Sequence, residues 1–134
     1  MNESIQKTLL ALLLLYGMAS LIHFVHNAEF LTDYPNLPDT WTRLGVYYAW
    51  IGVTATGVCG WLLLNRGYPI LGLLVLAIYA VFGLDSLGHY VVARMSEHTL
   101  AMNVTIMLEV IAASMVLIVI LTQFARLCLR KQSY

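Results

Sequence analysis

Two carboxylates and four histidines set the chemistry open to this sequence. Asp85, Glu109, His23, His26 and His89 stand inside long apolar stretches, and His98 stands at the edge of one. A charged side chain in such surroundings must be paired, coordinated or neutralised, because desolvation disfavours it strongly. Imidazole and carboxylate together are ligands for zinc or non-haem iron, and in helical bundles such ligands project toward the axis from facing helices. If the stretches are helices, His23 and His26 share a face with Asn27, and Asp85 and His89 in "GLDSLGHY" form an i,i+4 pair. His98, Met102, Thr105 and Glu109 fall on one face of a later helix.

We therefore expect a metal site of His23, His26, Asp85, His89 and Glu109, holding one or two zinc or iron ions, with Asp85 and Glu109 also moving protons as catalytic acids or bases. Asn27, Glu29, Arg43, Tyr47, His98 and Thr105 are the expected supporting or substrate-contacting residues. Each has a packing reading beside the functional one. A histidine within a membrane can serve as a hydrogen-bonded packing residue, and Tyr47, Tyr48, Trp41 and Trp50 suit an interfacial aromatic belt. Arg43 can snorkel or pair with an acid, and Glu29 and His98 stand where solvated side chains are the default. Asp85 and Glu109 are the residues that packing explains least.

Depth supports convergence. At 1.5 Å per residue, His26 and His23 lie about 8 and 12 Å from the end of their helix, His89 and Asp85 about 9 and 15 Å, and Glu109 about 18 Å. Three helices thus bring titratable groups to similar levels.

The elements that must position these groups follow from composition. Of 134 residues, 60% are apolar and 10% charged, far below the roughly 25% charge of a soluble domain. Four apolar blocks, at about 4–31, 40–65, 68–95 and 97–129, each approach the ~20 residues that span a bilayer. The expected fold is an all-α integral membrane protein, a four-transmembrane-helix, up-down-up-down bundle in a single domain. The first block reads as a span of the mature chain, because Glu3 accompanies Lys7 and no small-x-small cleavage signal precedes the histidines. "TDYPNLPDT" and "NRGYP" supply turn chemistry, with Asp39, Thr40 and Ser96 as candidate caps and Pro69 suited to a first helical turn.

Lys7, Arg66, Arg126, Arg130 and Lys131 collect on one side of such a bundle, whereas Arg43 and Arg94 share the other with Glu29, Asp33, Asp39 and Glu97. The positive-inside rule then puts both termini in the cytoplasm, with a bacterial inner membrane as the expected location. Cys59 and Cys128 fall toward the same reducing side, so no disulfide is expected. Zero net charge gives no sign of nucleic-acid binding.

Three functions fit this pattern. The first is a membrane metal-binding protein acting as a metalloenzyme on a lipid-like or other apolar substrate. The second is a haem b electron-transfer protein with a helix-1 histidine and His89 as axial ligands. The third is a non-catalytic subunit or transport component of a larger membrane complex, or a homodimer. The paired Glu-x-x-His motifs of di-iron carboxylate bundles are absent, so that architecture lends ligand geometry only.

Overall fold

The computed structural model describes residues 2–131, without the side chains of Cys128, Arg130 and Lys131. The expectations placed on those three side chains lie outside the described residues. Helix α1 spans Glu3–Glu29, α2 Arg43–Asn65, α3 Pro69–Leu84, α4 His89–Val92 and α5 Leu100–Lys131. No strand occurs among the described residues. Four helices, at Glu3–Glu29, Arg43–Asn65, Pro69–Val92 and Leu100–Leu127, are long and apolar enough to cross a membrane, with mean hydropathy between 1.3 and 2.7.

Local chemistry explains the boundaries. Asn2 caps α1 by accepting from the Ile5 N–H at 3.0 Å. Helix α2 starts at Arg43 because Thr42 Oγ1 accepts from the Gly45 N–H at 3.0 Å, later than the Asp39 or Thr40 start expected from sequence. Trp41 N–H closes a turn onto Pro38 O at 3.0 Å and delays the helix. Gly67, at φ +87°, makes the reversal before Pro69. Thr99, and not Ser96, holds the start of α5, accepting from Met102 N–H at 3.3 Å.

The third apolar block is not one continuous α-helix. After Leu84 the chain tightens into a 3-10 segment over Asp85–Gly88 and resumes as α4. That short change alters which side chains face inward, as shown below.

Helices α2 and α3 pack along each other, α5 packs on both α1 and α3, and α1 leans on α2. Buried positions on α5 recur at helical spacing: Met102, Thr105, Ile106, Glu109, Ala113, Val116 and Ile120. Against them lie Leu9, Leu13 and Tyr16 of α1 and Leu73, Leu76 and Ala80 of α3, forming an apolar core below the polar residues. Gly83 allows a close approach of three helices, since a Cβ there would come within 2.6 Å of both Ala113 Cβ and Tyr16 Oη. Leu14, Met18, Ile22, Ile111 and Ile118 are exposed apolar side chains on the outward faces, as suits an apolar solvent.

Candidate functional site

Glu109 is fully enclosed, at 0% exposure, directly above the apolar core. Ser86 Oγ donates to its Oε2 at 2.5 Å, and His23 Nε2 stands 3.8 Å from the same oxygen. Glu109 Oε1 and the nearby Ser20 hydroxyl are both buried without a well-aligned hydrogen bond.

Hydrogen-bond directions fix what His23 can do. The Thr105 hydroxyl donates to Met102 O at 3.0 Å, so toward His23 Nδ1, 3.3 Å away, it can only accept. With the hydroxyl so placed, the matching tautomer carries its hydrogen on Nδ1 and turns Nε2 to Glu109 as an acceptor. Two lone-pair acceptors cannot face each other in a buried site without cost. A proton on either partner relieves that opposition.

A wider polar group extends from this pair toward the end of the bundle that holds the 31–42 and 93–99 loops. The His23 ring lies 5.3 Å from the His89 ring, edge to face, and His89 lies 6.1 Å from His98 in a similar arrangement. Asn27 Nδ2 donates to His89 Nε2 at 3.4 Å. Tyr34, only 4% exposed although it belongs to a loop, lies among His26, His89 and His98. Its hydroxyl bonds His26 Nδ1 at 2.9 Å, and burial pushes its pKa up to about 12, so it is a neutral phenol at physiological pH.

A cavity of about 280 Å³ opens beside this group. His23, Asn27, Asp85, Ser86 and His89 give its wall polar atoms, whereas Phe24, Phe82, Val46 and Trp41 make the rest apolar. Glu109 is not on the wall, but both Ser86 and His23, which flank it, are.

The sequence-expected residues divide as follows. His23, His89, Glu109, Asn27 and Thr105 come together. His98 joins them and is only 6% exposed, contrary to its expected solvated place, because the 93–99 loop folds back and His98 Nδ1 bonds Arg94 O at 3.0 Å. His26 turns to Tyr34 instead. Asp85 is exposed at the cavity mouth. In an α-helix, four residues place Asp85 about 40° from His89, but at the roughly 120° per residue of a 3-10 segment they diverge. The residue eclipsed with His89 is then Ser86, three positions earlier, and Ser86 is buried.

Glu29, Arg43 and Tyr47 form a separate exposed clamp. Arg43 Nη2 and Tyr47 Oη both donate to Glu29 Oε1 at 2.6 Å, tying the end of α1 to the start of α2. Trp50 and Thr54, one and two turns beyond Tyr47 on α2, line an apolar groove between α1 and α2. Sequence reasoning left Ser86, Ser20 and Tyr34 unassigned. The spacing of Ser86 from His89 is a usable signal only when the helix is known to tighten there.

Among the described residues, no three His, Cys, Asp or Glu side chains form a group that could hold a metal ion. Of the five expected ligands, only His23 and Glu109 bring donor atoms to one point, so the set does not fit a zinc or iron centre as arranged. The His23 and His89 rings are in edge-to-face contact, with their centroids 5.3 Å apart, which leaves no room for a porphyrin between those two as arranged. Comparison with known proteins finds no matching family model, no matching curated protein and no matching solved structure.

Proposed function

We propose that this chain is a small membrane-embedded enzyme that performs acid–base chemistry on a small apolar or amphipathic substrate held in the cavity between α1, the start of α2 and α3. In this reading the four long helices cross a bacterial inner membrane up-down-up-down, and the cavity lies in the outer half. The observation that carries it is the enclosed approach of His23 Nε2 to Glu109 Oε2 at 3.8 Å, with His23 and Ser86 both reaching the cavity wall.

Each group has a distinct task. Ser86 stands between Glu109 and the cavity, so a proton leaving the substrate passes to Ser86 Oγ as the Ser86 hydrogen passes to Glu109, and returns by the reverse, while His23 holds the other side of the carboxyl. His89 and Asn27 orient the substrate's polar group, and Asp85 stands at the mouth. The aromatic and aliphatic wall holds an apolar body, as small-molecule sites generally do. Proton transfer by a positioned side chain contributes typically about 10²–10⁴-fold to a rate, which is work this pair is placed to do without a cofactor. The zinc or iron chemistry expected from sequence is not carried into this mechanism, because the donor set is split.

Deuterium incorporation tests the reading without knowledge of the substrate. Purified protein is incubated in D2O with the apolar extract of bacterial membranes, and the extract is read by mass spectrometry. Wild type should place one deuterium in a discrete component, and Glu109→Gln should not. Absence of any protein-dependent exchange, from an extract that spans lipids, quinones and isoprenoids, would remove the enzyme reading and favour a non-catalytic subunit.

A further inference from the structure

The end of the bundle away from the cavity holds a second recess, a groove of about 390 Å³ to which all four long helices contribute. Gln123 and Arg126 of α5 and Asn2 before α1 give it polar atoms, and Ile5, Leu64, Leu73 and Leu127 make the rest apolar. Gln123 is the informative residue. It is only 8% exposed, yet its side-chain amide makes no hydrogen bond among the described residues, although buried polar groups are nearly always paired. What remains open to that amide is the groove it lines.

The polar groups around it offer hydrogens. Arg126 is exposed and has no ion pair among the described residues. Asn2 Oδ1 is taken by the Ile5 N–H at 3.0 Å, which leaves its amide hydrogens to donate. Helix α3 begins on the groove wall at Pro69 without a side-chain cap, and the Ile70 and Leu71 N–H groups have no partner among the described residues. The positive end of that helix is therefore uncompensated. No carboxylate among the described residues lines the groove, and Glu3, the acid beside Asn2 in sequence, is held by Lys7 at 2.7 Å.

We propose that this groove binds the phosphate of an anionic membrane phospholipid. The Arg126 guanidinium and the Gln123 and Asn2 amides donate to the phosphate oxygens, and the start of α3 adds its field, as helix N-termini do for anions. Ile5, Leu64, Leu73 and Leu127 cover the first carbons of the lipid. A water-borne phosphate would leave those four side chains uncovered, so the lipid is the better fit. A headgroup with its own ammonium would bring a cation to a wall that has no anion to receive it. Basic pockets between membrane helices hold anionic headgroups by the same chemistry. The site rests on the reading of the four long helices as membrane spans, and not on the acid–base chemistry of the cavity at the other end.

Native mass spectrometry of the full chain released from detergent tests the site, with phosphatidylglycerol, phosphatidylethanolamine or glycerol 3-phosphate added. One phosphatidylglycerol should bind in preference to the other two. Arg126→Gln should weaken it by about tenfold or more, as loss of a charged hydrogen bond implies, and Gln123→Leu by about threefold. Arg66→Gln, exposed at the same end but outside the groove, should leave it unchanged. Equal weakening by Arg66→Gln overturns the site in favour of diffuse surface charge. Phosphatidylethanolamine held as tightly overturns it too, and glycerol 3-phosphate that displaces the lipid at equal concentration marks a soluble-anion site instead. Thermal unfolding keeps the outcome clear if Gln123→Leu fails to fold: phosphatidylglycerol should raise the Tm of wild type and not of Arg126→Gln, and a rise retained by Arg126→Gln overturns the site. Protein that stays in solution without detergent removes the membrane reading itself, whereas protein extracted from membranes that binds no phosphatidylglycerol overturns this site alone.

Discussion

Ser86 and Glu109, from the 3-10 segment and from α5, meet through a hydrogen bond of 2.5 Å in which the hydroxyl donates to Oε2. This bond supplies the buried carboxyl with its one well-aligned donor. Ser86→Ala removes it and leaves the oxygen desolvated, which costs about 1–3 kcal/mol. We expect a lower Tm in detergent for Ser86→Ala. An unchanged Tm would mean that Glu109 does not depend on this donor.

His23 and Glu109 should behave as a coupled pair. Since a proton on either partner relieves the opposition between them, removing either partner changes what the other must do, and the double variant should be less damaged than the sum of the singles. For groups in contact such coupling is about 0.5–3 kcal/mol. Thermal unfolding of His23→Gln, Glu109→Gln and the double variant measures it. Strict additivity would mean that the 3.8 Å approach is proximity without interaction.

Much of this arrangement was legible in the residues, and the reasons differ between sites. The four long helices announce themselves because so little charge leaves apolar runs long enough to cross a membrane as helices. Glu109 was legible because a lone carboxylate in an otherwise apolar helix has few structural uses, and its face, with Thr105 and Met102, follows from simple helical spacing. Asp85 was misplaced by the same rule, since periodicity assumes an unbroken α-helix and "DSLG" tightens to 3-10. Tyr34 was invisible for another reason. It lies in a proline-bearing loop, and no periodic rule tells which loop side chain folds back into a bundle.

Glycine positions give a paired prediction about packing. A Cβ at Gly83 meets Ala113 and Tyr16 at 2.6 Å, where rigid neighbours on two other helices cannot yield, so Gly83→Ala should destabilise by about 1–3 kcal/mol. Gly52, within α2, has nothing within 4 Å of its Cβ position. Gly52→Ala should therefore stabilise by about 0.5–1 kcal/mol through helix propensity. Equal effects of the two changes would contradict the close α3 to α5 and α1 approach.

Orientation in the membrane is the last prediction, and it rests on where positive charge is free to act. At the loop end, Arg43 is already held by Glu29, and its other arginine, Arg94, shares that end with Asp33, Asp39 and Glu97, so the end carries no excess of positive charge. The opposite end gathers Asn2, Arg126 and Pro69 around one groove, and Gln6 Nε2 donates to Asn65 Oδ1 at 2.6 Å. Arg66 follows immediately, and Lys7 lies one turn inside α1, paired with Glu3 at 2.7 Å. Loops rich in Lys and Arg stay on the cytoplasmic side, so the Tyr34 loop and the cavity mouth are expected outside. In a Cys59→Ser, Cys128→Ser background, Asp39→Cys should react with an impermeant maleimide added to intact cells with a permeable outer envelope, whereas Tyr68→Cys should react only after the inner membrane is opened. Labelling in the reverse order would invert the bundle and turn the cavity mouth to face the cytoplasm.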